Sequence, residues 1–591
     1  MAEKRVWHRF ELKRRSRGLK KHARKAEGAT IRHARRFVVN RWENIREVRA
    51  HIIVWLSGIA LLIGLVGLQM LWFQRAYLVT APTNGGTYAE AVVGPINTLN
   101  PLYATTPAEV SASKLLFSSL YSYDGTGNLK GDIALSMKSE DTKTYTVQLR
   151  KDAKWHNGQR LTAEDVMFTV ELMKNTAVRS VMNASWRGVT TKLIDEYTVQ
   201  FTLPAAYAAF PQALTFAILP KHLLKDLPPA GLRESSFSKS PVGSGPFTLR
   251  LLQTVNIASG RKVVHLAATE QHYDGRPRLE RFQLHVYGDG DAIGQALKTG
   301  EVNAASDVPL GVATGISKER YDLIDKDINS GVYAIFNAVN PALKDPVVRR
   351  ALQAGTNTQE IRDQFAIKPR KLDLPFISDQ VAGSEVLAAQ QFDLDAASKA
   401  LTDHGWIMQD GVRVKDNVKL QLRVVTRKSA EYEKVLTLLV KQWGRLGIDV
   451  QQQVIDASDV AQNFTQDILQ RRNYDVLLDE LVIGGDPDVF AYWHSLGILN
   501  FANYSNQTSD DALASARTQP NQALRAVKYI AFANQWLADA PAIGLYQSNM
   551  LYVRNKTSRS IEPAEHIVSA NEHYANIRYW TAEQGTVYKT P

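Results

Sequence analysis

The segment Asp486-Pro487-Asp488, followed by Phe490, Tyr492 and Trp493, gathers acids and aromatic rings within eight residues. That mixture suits a pocket wall, apolar surface with a few polar anchors. Tyr492 and Trp493 suit core packing equally well. Other candidate chemistry is thin. The 13 histidines are scattered and form no H-x-H or H-E-x-x-H pattern, and the chain has no cysteine to act as nucleophile or metal ligand. No G-x-S-x-G, Walker loop or dinucleotide fingerprint occurs. Gly243-Ser244-Gly245 is too short to cradle a phosphate and instead suits a tight turn ahead of Pro246. Glu164-Asp165 and Asp510-Asp511 are adjacent carboxylates that point apart and read as solvated faces. Tyr287-Gly288-Asp289-Gly290-Asp291-Ala292 hints at a calcium loop but lacks the spaced oxygen ligands and closing Glu, so a plain turn is expected. His156 in "WHNG" is expected to be a turn residue satisfied by backbone groups. No cofactor, metal site or catalytic constellation emerges, which favours a binder over an enzyme.

The elements that must position these residues are mixed α/β. Thr144 to Arg150 alternates polar and apolar, as a half-buried strand does. Thr162-Ala163-Glu164-Asp165 resembles a capping box, with Asp165 in place of Glu, and Val166, Val170 and Met173 follow at helical spacing. Asp345-Pro346 is a cap with a first-turn proline. Leu436, Leu439, Val440 and Trp443 form a stripe that Gly447 ends, and "IDVQQQVI" then alternates as a strand. The roughly 500 residues from 84 to 591 exceed one core and predict two or three lobes.

Ahead of them, Ile52 to Phe73 is a run of 22 residues without a charge, about 33 Å as a helix, enough for a bilayer core of about 30 Å. Residues 1–50 hold 17 Lys and Arg against 5 Asp and Glu, the whole of the chain's net charge of +12. Basic flanks stay inside, so residues 1–50 are expected to be a cytoplasmic segment, 51–75 a transmembrane anchor, and the remainder extracellular. A cleaved signal peptide is the rival reading, but its apolar core is shorter and its basic start briefer. With no cysteine, lipid attachment through that residue and disulfides are both excluded. The basic segment is expected to rest on anionic lipid headgroups. Nucleic acid is not an expected partner, since no recognition motif accompanies the charge.

Six ordered blocks carry a resemblance. They are "INTLNPLYATT" (96–106), "YTVQLRKDAKWHNGQRLTAEDVMFTVE" (145–171), "SPVGSGPFTL" (240–249), "ALKTGEVNAA" (296–305), "FNAVNPALKDPVVRRALQAGTN" (336–357) and "GGDPDVFAYWHS…NFANYSN" (484–506). In that order they resemble the oligopeptide-, dipeptide- and nickel-binding solute-binding proteins of ABC importers, over roughly residues 86–580. The resemblance implies an α/β, two-lobed periplasmic-binding-protein-like fold with an extra third domain, preceded here by one transmembrane helix. It implies lobe one at 84–128, 239–331 and 554–591, the extra domain at 129–238, and lobe two at 332–553. It implies ligand binding at Val93, Gly94, Pro95, Tyr333, Ile483, Gly484, Asp486, Tyr492 and Trp493. The implied function is delivery of a peptide or related small solute to importer permease subunits by hinge closure; a surface sensor or a hydrolase on the same scaffold are the alternatives. One departure stands out. Peptide-binding members place a carboxylate three positions before the Asp/Glu-Pro pair, where it meets the ligand's α-ammonium. Here that position is Ile483, so either Asp479, Glu480 or Asp486 takes over, or no free amine is held there.

Overall fold

A computed structural model describes residues 45–456, 463–562 and 564–588; most of the basic segment lies outside them. The described residues divide into two compact units, one within residues 45–81 and 585–588 and the other within residues 82–584. The first contains α1 (Ile45–Tyr77). Its stretch Arg49–Phe73 has a mean hydropathy of 2.3 and exposed side chains throughout, long and apolar enough to cross a membrane. The strand Leu78–Pro82 follows and pairs with Gln584–Tyr588.

The second unit is built on one ten-stranded mixed sheet. Its strands are β1 (Thr87–Val93), β2 (Phe247–Asn256), β3 (Arg261–Ala268), β4 (Arg281–Tyr287), β5 (Ala304–Ala305), β6 (Tyr321–Phe336), β7 (Gln421–Arg427), β8 (Asp449–Ile455), β9 (Val476–Val482) and β10 (Ala542–Asn555). The spatial order is β8-β7-β9-β6-β10-β5-β1-β4-β3-β2. β1 runs parallel to β4 and β5, and β7 parallel to β8 and β9. β6 and β10, at 16 and 14 residues, are far longer than an ordinary strand because they serve both halves of the sheet. Tyr321–Asp327 pairs with Asn549–Asn555; after a break, Gly331–Ile335 pairs with Gln547–Ala542. Two lobes thus share two strands and are interrupted at the same level on both.

Each lobe buries the central strands of its sheet on both faces, as parallel pairs require, while the edge strands β2 and β8 are largely exposed. In lobe one, Ile293 and Leu297 of α4 (Gly290–Thr299) cover one face, and Tyr88, Phe282, Tyr574 and Trp580 pack on the other. In lobe two, α5 (Pro346–Ala354) and α6 (Ala430–Arg445) cover one face, and α7 (Gln507–Thr518) and α8 (Gln522–Asp539) the other. A small domain beside lobe one carries a four-stranded antiparallel sheet, Ala134–Lys138, Thr144–Leu149, Thr198–Thr202 and Thr190–Asp195. Its helix α3 (Ala163–Lys174) starts at the expected Thr162, whose N–H donates to Asp165 at 3.0 Å. Asp345 caps α5 through the Val347 N–H at 2.9 Å. Gly288 and Asp289 make the turn from β4 into α4, with Asp289 accepting from the Ala292 N–H at 2.9 Å.

His156 lies in the turn expected of it. Its N–H donates to Gly243 O at 2.8 Å and its Nε2 lies 3.0 Å from Gly245 O; burial lowers its pKa. Gly243 and Gly245 press on the end of α2 (Pro107–Leu116). A Cβ on Gly243 would meet Leu116 O at 1.9 Å, and one on Gly245 would meet Leu116 C at 2.6 Å, so no other residue fits.

Candidate functional site

The acid-and-aromatic segment emerges from β9 at the level where β6 is broken. The Ile483 and Gly484 N–H groups donate to Asn329 O at 2.9 and 3.0 Å. In return the Gly484 carbonyl accepts from Asn329 Nδ2 at 3.0 Å and from Gln380 Nε2 at 2.7 Å. Gly484 has φ +79°, a left-handed turn that suits glycine. The chain therefore leaves the sheet along a fixed path, with Ile483 buried.

Two arginines then clamp the loop. Arg525 of α8 makes a bidentate pair with Asp486, both bonds 2.8 Å. Arg517 of α7 donates through Nε to Asp488 at 3.0 Å. Burial raises the Asp488 carboxyl, and Arg517 opposes that shift. Asp486 also accepts from the Asp488 N–H at 3.0 Å, tying the turn to itself.

The rings divide. Trp493 is 1% exposed and stands edge-on to Tyr333 at 6.1 Å and to Trp536 at 5.4 Å. Tyr333 is fully buried in β6, its phenol donating to Leu374 O at 2.8 Å. Both brace the loop from the core side. Tyr492 is half-buried, its phenol donating to Val482 O at 2.7 Å, and burial pushes its pKa up to about 12. On lobe one, Val93, Gly94 and Pro95 form the C-terminal exit of β1. The Gly94 N–H donates to Tyr287 O at 2.9 Å, Thr106 Oγ1 donates to Pro95 O at 2.7 Å, and Pro95 is exposed. The nine candidates thus lie on both lobes: Val93–Pro95 at a strand end of lobe one, the rest around the loop of lobe two.

The three acids considered as substitutes for a carboxylate at 483 separate clearly. Asp479 is buried and bonded to Arg427 at 2.6 and 3.1 Å. Asp486 is held by Arg525. Glu480 is half-buried and has no hydrogen bond or ion pair through its side chain among the described residues. The strand register sets Glu480 and Tyr546 on either side of Val332, in one row across the sheet.

Near the end of that row lies a cavity of about 150 Å³ between the lobes, lined by Asp307 and Leu310 from lobe one and Phe365, Ile367, Glu431 and Tyr546 from lobe two. Glu431 accepts from the Tyr546 phenol at 2.7 Å. Burial raises the Glu431 carboxyl; that phenol opposes the shift, and the negative charges of Glu480 and Asp307 add to it. Asp307 reaches solvent within the cleft, yet the protein around it and then the charge of Glu480 raise its carboxyl too. Sequence reasoning missed Asp307, Glu431 and Tyr546. The available signal was Glu431 in the first turn of an otherwise regular amphipathic helix; nothing local marked Asp307. Among the described residues no group of three His, Asp or Glu could hold a metal ion.

Residues 128–500 match the family model of bacterial extracellular solute-binding proteins, family 5, middle part. The chain is 26% identical over 499 residues to the oligopeptide-binding protein AppA of Bacillus subtilis, covering 79% of this chain and 87% of that one. The structure of that protein with a nonapeptide superposes with a TM-score of 0.68 at 24% identity, covering 85% and 99% of the two chains. NikZ from Campylobacter jejuni, solved with Ni(L-His), gives 0.69 at 24% identity over 84% and 99%. The ABC transporter substrate-binding protein CtaP of Listeria monocytogenes gives 0.70 at 24% identity over 82% and 100%.

Proposed function

The chain belongs to the bacterial extracellular solute-binding proteins, family 5, and from that premise we propose that it is a membrane-tethered binder that closes on a peptide and hands it to an ABC-type importer without altering it. The observation that carries this reading is the pair of strands β6 and β10 shared by two lobes and interrupted together at Asp327–Gly331 and Gln547–Asn549. Such a break is where a hinge can absorb backbone rotation while each lobe stays packed. Proposed boundaries are 84–128, 239–331 and 554–591 for lobe one, 129–238 for the small domain and 332–553 for lobe two.

The proposed ligand walls are Val93–Pro95 on lobe one and Ile483, Gly484 and Tyr492 on lobe two. Tyr333, Trp493 and Asp486 are supports that hold the second wall in place. An extended peptide can be held through its backbone, which asks for strand ends and loop carbonyls more than for particular side chains. Closure is driven only by contacts that the ligand makes to both lobes. The α1 anchor keeps the binder near its permease and raises its effective concentration there. The charge of residues 1–50 supports a cytoplasmic position for that segment and an external one for the lobes.

The test is mass spectrometry of solutes that co-purify with the protein, followed by thermal unfolding with the candidates found. A true ligand raises Tm in proportion to the logarithm of its concentration, compacts the protein in small-angle scattering, and is recovered intact. Steady conversion of the solute would move the protein to the enzymes, and binding without any effect of the importer would favour a sensor.

A further inference from the structure

Helix α7 ends against the small domain. The last four carbonyls of a helix have no partner within it, and two here are capped from the neighbouring domain. The Ala208 N–H donates to Arg517 O at 2.7 Å, and Thr142 Oγ1 donates to Thr518 O at 3.2 Å. Between these contacts the Arg517 guanidinium lies between two rings. It is 4.6 Å from the Tyr207 centroid on the small domain and 4.3 Å from the Phe490 centroid on the loop of lobe two. Tyr207 is itself pinned, its N–H donating to Thr142 O at 2.7 Å and its carbonyl accepting from the Tyr145 phenol at 2.7 Å. Next to this seam, Tyr123 of lobe one crowds Gly485 so closely that a Cβ there would lie 2.4 Å from the phenol oxygen.

Among the described residues the seam joins helix-end carbonyls and a guanidinium, and its rings belong to the cores on either side. Phe490 packs with the core of lobe two, Tyr207 with that of the small domain and lobe one. Helix-end carbonyls and a guanidinium exchange protein partners for water at little loss. A planar guanidinium is weakly hydrated and can stack on rings while it donates in its own plane. Arg517 does both at once, facing Tyr207 on one domain and Asp488 on the other.

We infer that Arg517 is a positioning residue that ties the Asp486–Asp488 loop to the small domain, so that order in the loop and closure of the small domain on lobe two are one equilibrium. This deepens the proposed function, since that loop leads out of the lobe-two ligand wall. A ligand that settles Ile483 and Gly484 presents Asp488 and Phe490 to Arg517 and thereby favours the closed arrangement. Loosening the seam lowers the closed fraction, and apparent affinity falls by the same factor.

The test needs no ligand. The chain has no cysteine, so Lys192→Cys on the small domain and Asp511→Cys on α7, both exposed, label the full-length protein uniquely for a distance measurement in nanodiscs. R517M and Y207A are each expected to raise the open population about fivefold, and the two together by clearly less than the product of the single effects, since the contact between them is shared. T142V, which removes a single cap from the small-domain side, is expected to shift it the same way by less, and it guards against a variant that fails to fold. Unchanged distances in R517M and Y207A would overturn the inference and reduce Arg517 to a brace of its own loop. So would opening in R517M alone. Because the distance is read without ligand, this failure is distinct from a failure to bind peptide.

Discussion

Arg525 and Asp486 are joined by two parallel hydrogen bonds of 2.8 Å, with both side chains largely removed from solvent. The pair lies at the turn that would otherwise offer a carboxylate to a ligand amine. Arg525 also donates to Ala516 O at 3.1 Å and to the Tyr529 phenol at 2.9 Å, so it links the loop, α7 and α8. Removing it by R525A strands Asp486 as a buried charge, and the expected loss is about 3–5 kcal/mol of stability. R525K should recover part of this, because an ammonium cannot reproduce the planar fork. Denaturant midpoints of the two variants and D486N check the order; equal midpoints for R525A and the parent chain would mean the pair contributes nothing.

Ile483 has no charge, Asp486 and Asp479 are occupied, and the consequence is measurable on a peptide. Acetylating the N-terminus of a bound peptide is expected to cost less than about 1 kcal/mol, against about 2–5 kcal/mol if a buried carboxylate held the amine. Calorimetry with a matched free and acetylated pair decides it. A large loss that disappears in E480Q would instead assign the amine to Glu480, the acid left without a partner.

The cleft carboxylates should also register in the pH dependence of stability. The folded-state pKa of Glu431 is raised, chiefly by burial. A carboxyl raised on folding binds more protons in the folded than in the unfolded state, so its contribution is greatest below the unfolded value of about 4.3 and is lost as pH rises through the folded value. Thermal unfolding of the parent chain and E431Q from pH 4 to 7 should therefore show the parent falling relative to the variant as pH rises. Asp307, raised by the protein around it and by the charge of Glu480, should show the same sign in D307N with a smaller amplitude, because it reaches solvent. Parallel curves would sink the assignment.

Topology is open to a direct experiment. Protease added to intact cells should digest the lobes and leave a small basic fragment that contains α1, as the confinement of the +12 charge to residues 1–50 requires. Protection of the large unit would reverse the orientation.

What the sequence determined by itself is what local pattern can encode. The length of the apolar run and the charge on one side of it need no fold to be read. The caps at Thr162 and Asp345, the strand at Thr144–Leu149 and the helix that ends before Gly447 depend on residues within a turn or two of one another, and each formed where its periodicity placed it. The tertiary structure decided what covers each face. Alternation in "VLLDELV" separates Asp479 from Glu480, but only the approach of Arg427, 52 residues away in the chain, occupies one acid and leaves the other. Aromatic spacing cannot distinguish a pocket wall from a core, and Trp493 became core because Tyr333 and Trp536 arrive from distant elements. Arg517 and Arg525 meet the loop across 29 and 39 residues, and Asp307 reaches the cleft of Glu431 only because β6 and β10 hold two lobes edge to edge. Electrostatic pairing and burial depend on distance in space, and a short window of sequence carries no information about that distance.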